Sequence, residues 1–266
     1  MAYVLSELSE AHRNYFASLK GVSGHIRDGM FVAEGPKIVE HVLRSNADVP
    51  FGFMTEEFFA HFEPMFSSRA GEITRIHVAP KSEMEAIVGF SLHQGVMLAA
   101  RIPTAPDLSE LLEGNGPRTI VALEGIADAE NMGTIVRTCA AFGVDALIVD
   151  QTSCHPFLRR SVRVSMGTVI DLRIIISEDL PGLVTELQAR DLQTIAAALT
   201  KEALPLNRAQ FSSRVALLFG AEGTGLTKPL IDLTKTAVAI PMAPGIDSLN
   251  VGVACGIFLH ERMRAS

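Results

Sequence analysis

The chain reads as an α/β protein, with a parallel sheet covered on both faces in its C-terminal half and a smaller α/β unit before it. Three observations predict this. From Thr119 onward, apolar runs of strand length alternate with helical patterns. Those runs are nearly continuous in apolar residues, as strands buried on both faces are, whereas strands with one wet face alternate. The 48% apolar content of the 266 residues is also enough to bury a sizeable core.

In order, the first hundred residues hold a helix near Ser6–Leu19, a strand at Met30–Gly35, a helix over Pro36–Ser45 and a strand at Phe51–Thr55. A helix around Glu56–His61 follows, then strands near ITRIHV (73–78) and GVMLAAR (95–101). The stretch 102–117, IPTAPDLSELLEGNGP, carries three prolines and two glycines and reads as a linker with a short helix. We therefore expect domains at 1–105 and 117–266, joined by a linker at 106–116. Strands are expected at TIVALEG (119–125), DALIVD (145–150), DLRIII (171–176), TIAAAL (194–199), VALLFG (215–220) and AVAIPM (237–242). Helices at 130–142, 159–167, 181–190, 226–234 and 249–263 separate or follow them. In open α/β sheets ligands bind beyond the carboxyl ends of strands, so the segments that follow strands are the candidate ligand sites.

Composition narrows the function classes. No apolar run approaches the ~20 residues of a membrane helix. The N-terminal MAYVLSELSEAHRNYF lacks a basic start followed by an apolar stretch, so no secretory signal is expected. Cys139, Cys154 and Cys255 are scattered, which argues against a disulfide framework or structural zinc and for a reducing cytoplasm. A net charge of −7 does not suggest a general nucleic-acid binder. A local basic patch could still bind RNA, the candidates being Arg13, Lys20, His25 and Arg27 near the start and the Arg159/Arg160/Arg163 cluster.

Three segments carry chemistry. The first, Ala127–Gly143, follows a strand and opens a helix with Asp128 or Asn131 as its cap and Gly143 at its end. Arg137 lies among Ile135, Val136 and Cys139, and a guanidinium buried there would need an anionic or carbonyl partner: an internal salt bridge or a bound phosphate. The second, LFGAEGTGL (218–226), places glycines directly after a strand, where backbone can approach a ligand. It is neither a Walker A loop nor GxGxxG. Glu222 could brace that loop, or orient Arg137 or a substrate hydroxyl. The third, IPMAPGIDSLNVGVA (240–254), has Ser248 placed to cap an apolar helix and Asn250 in its first turn, where an amide needs partners.

In this order the segments NMGTIVRTCAAFG, LFGAEGTGL and IPMAPGIDSLNVGVA resemble the three motifs of the SpoU/TrmH family of RNA 2'-O-ribose methyltransferases, within the SPOUT class. RVSMG (163–167) is similar to the segment between the first two motifs. FVAEGPKIVEHVL and QGVMLAA resemble the ribosomal-protein-like substrate-binding domain of the ribosomal-RNA branch. The resemblance implies a C-terminal domain with a deep trefoil knot, a homodimer whose active site draws on both subunits, S-adenosyl-L-methionine as cofactor, and no metal. It implies cofactor contacts at Gly220, Ile240 and Leu249, with Met242 nearby, and an active-site polar set of Asn131, Arg137, Glu222, Ser248 and Asn250. Family accounts give the residue matching Arg137 the role of base. A guanidinium stays protonated, so gripping the adjacent phosphate and stabilising developing alkoxide suits it better. Gly252 departs from the pattern, which commonly has a small hydroxylated residue there and so implies a looser helix start. Pro241 and Pro244 bracket the third loop. The expected substrate is ribosomal RNA, with transfer RNA or a catalytically silent ribosome-assembly role as alternatives. A nucleotide-dependent oxidoreductase is disfavoured by the missing glycine fingerprint.

Overall fold

The computed structural model of the chain describes residues 3–19, 21, 26, 28–69, 74–246 and 248–264. Lys20, His25 and Arg27 of the basic N-terminal stretch lie outside these residues, as does Ile73 at the head of ITRIHV. In chain order the first elements are β1 (Tyr3–Leu5), α1 (Glu10–Ser18), β2 (Met30–Glu34), α2 (Pro36–Arg44), β3 (Phe51–Met54), α3 (Glu56–Ser68), β4 (Thr74–Val78), α4 (Lys81–Val88) and β5 (Val96–Arg101). There follow α5 (Leu108–Leu111), β6 (Arg118–Glu124), α6 (Ala129–Ala141), β7 (Ala146–Asp150), α7 (Arg159–Val164), β8 (Ile174–Ser177) and α8 (Leu180–Ala189). The last are β9 (Gln193–Ala197), β10 (Leu204–Pro205), β11 (Arg214–Gly220), α9 (Lys228–Thr234), β12 (Ala237–Ala239) and α10 (Val251–Arg264). The chain divides into two units: Met1–Thr104 with Phe157–Ile170, and Ala105–Pro156 with Asp171–Ser266.

In the first unit the strand order is β1-β4-β3-β5-β2, with β4 parallel to β1 and β3, and β5 antiparallel to β3 and β2. Phe16, Phe53, Met84 and Met97 centre its core. The apolar stripe Ile38, Val39, Val42 and Leu43 buries one face of α2, as helical spacing dictates. The carbonyls at the end of α2 are closed by Arg69, which donates to Leu43 O at 2.7 Å and Ser45 O at 3.1 Å. Helix α3 runs past the expected His61 to Ser68, across Pro64. The buried Phe62 and Phe66, one turn apart, anchor its second half despite the missing backbone donor. Strand β1 and helix α4 are additional to the expected elements. Only Met84 and Val88 of α4 are buried, too few to mark a period.

Residues 157–170 pack in this same unit. Phe157 meets Phe31 with ring centroids 5.2 Å apart, and half-buried Arg159 donates to Glu34 at 2.9 Å while lying 4.0 Å over the Phe90 ring. Arg159 is thus engaged internally and does not belong to an open basic patch with Arg160 and Arg163. Burial lowers its pKa, with Glu34 opposing.

The second unit holds a sheet of order β10-β12-β9-β11-β6-β7-β8, parallel at each of its pairings. The short β10 is additional to the expected strands. Alternate side chains of each strand face opposite layers. Ile120, Ala122, Ala216 and Leu218 join Leu180, Val184 and Leu187 of α8 and Leu230 of α9 in one core cluster. Val121, Leu123 and Phe219 are buried on the other side, where Phe219 meets Phe258 of α10 edge-on at 5.4 Å. Burial on both faces is why these strands read as unbroken apolar runs. Leu111 and Leu112, in and just after α5, are buried in the same cluster as α8.

Candidate active site

Parallel strands put all their carboxyl ends on one sheet edge. The ends of neighbours β12, β9 and β11 form a cavity of about 360 Å³, lined by residues 197–199, 219–226 and 238–240 with Met242, Ser248, Leu249 and the α10 side chains Ala254 and Phe258. Gly220, Ile240, Met242 and Leu249, the expected cofactor contacts, all line it. At Gly220 the loop folds back so tightly that a Cβ would stand 2.1 Å from the carbonyl carbon of Gly225 and 2.2 Å from Leu226 N. Gly225, at φ +67°, donates its N–H to Ala221 O at 2.8 Å and closes the turn. At Gly220 there is space only for glycine, and the left-handed backbone at Gly225 favours it.

The entry to α6 is set by two carboxylates. Asp128 caps the helix by accepting the Glu130 N–H at 2.7 Å. Asp150, at the end of β7, accepts the N–H groups of Gly125 and Ser153, each at 3.0 Å, and both the Ser153 and Thr152 hydroxyls. Ser153 Oγ in turn accepts the Ile126 N–H at 2.8 Å. Burial alone would raise the Asp150 pKa, but those hydrogen bonds outweigh it and hold the carboxyl below its ordinary value.

With the cap filled by Asp128, Asn131 is free to face outward. Asn250 Nδ2 donates to Asn131 Oδ1 at 2.7 Å and to Glu222 Oε1 at 2.6 Å. Asn250 Oδ1 accepts the N–H groups of Gly252 at 3.0 Å and Val253 at 3.2 Å. The amide can point only one way, since reversing it would face its NH₂ against two backbone donors. One residue from each of the three segments therefore meets at a single amide. It also follows that Asn250, not Ser248, caps α10: the helix begins at Val251, and Ser248 lies ahead of it on the cavity wall. Gly252, expected to loosen this helix start, sits closely against α6: a Cβ there would stand 2.6 Å from Thr134 Cγ2.

Arg137 does not join this group. It is exposed and makes no hydrogen bond or ion pair among the described residues. The buried stripe of α6 is Met132, Ile135, Val136 and Cys139, and at ~100° per residue Arg137 points roughly 150° away from it. The guanidinium expected among Ile135, Val136 and Cys139 is therefore not buried, since its neighbours in sequence are not its neighbours in space. Sequence reading also missed the wall at Ala197–Leu199. The signal was present, because TIAAAL ends on the same sheet edge as the glycine loop. Among the described residues no group of three or more His, Cys, Asp or Glu could hold a metal ion.

This fold is shared with solved methyltransferases. An rRNA methyltransferase from Sinorhizobium meliloti, solved with AdoMet bound, superposes with a TM-score of 0.81 at 24% identity, covering 99% of this chain and 98% of that one. The SpoU methyltransferase AviRb from Streptomyces viridochromogenes gives 0.81 at 20%, covering 96% and 98%. These likenesses define the class: an α/β protein of the SPOUT methyltransferase fold. In sequence, residues 118–260 match the model of the SpoU rRNA Methylase family. An uncharacterized tRNA/rRNA methyltransferase of Mycobacterium bovis is 33% identical over 239 residues, 89% of this chain and 81% of the relative. The 23S rRNA (guanosine-2'-O-)-methyltransferase RlmB of Acinetobacter baylyi is 31% identical over 193 residues, 71% and 78%. The chain belongs to the SpoU/TrmH family of RNA 2'-O-ribose methyltransferases.

Proposed function

We propose that the chain methylates a ribose 2'-hydroxyl in structured ribosomal RNA, with S-adenosylmethionine held in the strand-end cavity. The observation that carries this is the meeting of Asn131, Glu222 and Asn250, one from each motif, beside a cavity walled by the glycine loop. The cavity suits the cofactor: its volume falls in the ~300–1,000 Å³ range of small-molecule sites. Its walls combine apolar side chains with strand-end backbone groups, the donor set an adenosine needs. When bound, the cofactor supplies a methyl group on a sulfonium sulfur, an electrophile that needs no metal.

The protein's task is then to orient the ribose and ease removal of its hydroxyl proton. Glu222 and Asn131 hold Asn250, which fixes the start of α10 and the loop before it. Ser248, on the exposed cavity wall, and Asn131 position the ribose. Arg137 stays protonated, grips the adjacent phosphate and stabilises developing alkoxide charge. Among the described residues it has no hydrogen-bond or ion-pair partner, which fits a site completed by a second copy. A homodimer is further supported by α10, whose inner face is buried while Val253, Ile257 and Met263 stand 51%, 36% and 58% exposed. In this reading residues 1–105 bind RNA and 117–266, knotted as in the family, carry the reaction. Cys139, Cys154 and Cys255 form no disulfide, which suits a reducing cytoplasm. Ribosomal RNA is favoured by the 23S rRNA specificity in the name of the Acinetobacter baylyi relative. Mapping 2'-O-methylated riboses in total RNA, with and without this gene, tests the reading. Loss of one ribosomal methyl is expected; loss from a transfer RNA reassigns the substrate, and no loss refutes methylation.

A further inference from the structure

Outside the motif residues, one carboxylate is fully committed to the glycine loop. Glu124 ends β6, directly beside Gly220 in the parallel register with β11. Its two oxygens accept from one residue: Thr227 N donates to Oε2 at 2.7 Å and Thr227 Oγ1 to Oε1 at 2.8 Å. Gly220 opens the loop 221–226 and Thr227 ends it, as the residue capping α9. Both ends of the loop are therefore tied to Glu124, one through the sheet and one through a bidentate, charge-assisted clamp. Thr227's own hydroxyl, which would ordinarily cap α9, is turned to Glu124 instead. Between the two anchors lie the cavity wall and Glu222, the acceptor for Asn250.

We propose that Glu124 is a positioning residue for the methyl-transfer reaction. It acts on the cofactor and on Asn250 only through the loop it closes, and touches neither. The proposal rests on the reading of the strand-end cavity as the cofactor site. With Glu124 removed, the loop keeps the Ala221–Gly225 turn but loses its fixed return point, and binding must first order it.

The test uses the full chain. Amide hydrogen exchange of the wild type with and without S-adenosylmethionine first locates the cofactor; protection absent from 219–226 and 238–249 overturns the reading of the cavity itself. With protection there, calorimetry is expected to show Glu124→Ala binding S-adenosylmethionine about tenfold more weakly, the loss of a charge-assisted hydrogen bond. Exchange at 221–226 in the cofactor-free protein should be faster as well. Glu124→Gln should bind within about threefold of wild type, because its carbonyl oxygen accepts the Thr227 N–H and its NH₂ donates to the rotated hydroxyl. Glu124→Ala should raise KM for the cofactor and leave KM for RNA unchanged, a split that a merely destabilised protein does not produce. The clamp also predicts that Glu124→Ala with Thr227→Val costs no more than Glu124→Ala alone. Wild-type affinity and exchange in Glu124→Ala overturn the proposal. Should that variant not fold, Thr227→Val carries the test, and unchanged affinity in it is equally decisive.

Discussion

Replacing Asn250 with aspartate should separate its two roles. Its Oδ1 caps α10 through two N–H groups, whereas its Nδ2 joins Glu222 and Asn131. Asn250→Ala loses both, and the cap alone is worth about 1 kcal/mol. For a chain this size that lowers Tm by about 2–4 °C. Asn250→Asp keeps the acceptors and adds a negative charge at the helix N-terminus, worth roughly 0.3–1 kcal/mol in its favour. It also sets a carboxylate oxygen where an N–H met Glu222 Oε1 at 2.6 Å. Two unit charges ~4 Å apart repel by about 1 kcal/mol in bulk water and about 4 kcal/mol near a protein surface; both residues are exposed, so the lower half of that range applies. The loop is pushed off its position, and a misplacement of about 1 Å costs on the order of a hundredfold in rate. Paired carboxylates raise one of their pKa values, and the protonated form, present below that value, can donate again. Asn250→Asp activity should therefore recover as pH falls from 8 towards 5.5, relative to wild type at the same pH. Thermal melts and single-turnover methyl transfer at both pH values measure this. Asn250→Asp melting as low as Asn250→Ala, or matching wild-type activity at pH 8, would refute the division of roles.

Gly220→Ala forces a Cβ to 2.1 Å from the Gly225 carbonyl carbon; the displaced loop should abolish cofactor binding in calorimetry, and retained affinity would contradict the tight turn. Arg137→Ala should abolish methyl transfer yet leave cofactor binding and Tm near wild type, because the side chain is exposed and has no partner among the described residues; full activity would exclude Arg137 from the reaction. Burial, first of all, lowers the pKa of both His12 and His77, which share a 2.8 Å hydrogen bond. A histidine with a lowered folded pKa binds fewer protons than in the unfolded chain, so its stabilisation is complete above ~6.5 and is lost as pH falls towards the folded value. Tm should drop between pH 7 and 5.5, and His12→Asn with His77→Asn should flatten that slope; an unchanged slope would assign it elsewhere.

The parallel sheet was legible because burial on both faces leaves a direct mark, an unbroken apolar run, on each central strand. Less legible were elements whose burial is brief. The two buried residues of α4 mark no period, and α3 crosses a proline because Phe62 and Phe66 anchor it from beyond. The site divided along the same line. Glycines after a strand were visible as such, and Gly220 and Gly225 indeed shape the cavity. Which of Ser248 and Asn250 caps α10 was not, since both can cap and only the observed helix start decides. The exposure of Arg137 was legible too, in the stripe 132/135/136/139, which points the other way; apolar neighbours in sequence are not contacts. Glu124 stayed hidden because its partner lies 103 residues on, joined through the sheet and not by any motif spacing.

The site's geometry depends on how closely α6 and α10 approach. Asn131 and Asn250 can share a 2.7 Å hydrogen bond only if the helices nearly touch within a turn of each residue. There, Gly252 faces Thr134, and a Cβ on it would stand 2.6 Å from the threonine methyl; one turn further, Gly256 faces Thr138, where a Cβ would stand 3.5 Å from the methyl, in ordinary van der Waals contact. Threonine on one helix thus fills the space that glycine leaves on the other. The hydroxyls of Thr134 and Thr138 turn back to carbonyls of their own helix, at 2.9 and 2.8 Å, which presents the methyl groups to α10. A hydroxylated residue at 252, as the family pattern commonly has, would need a smaller residue than threonine at 134. The departure at Gly252 is therefore one half of a matched pair. Its other half lies in the first motif, on the same helix as Asn131.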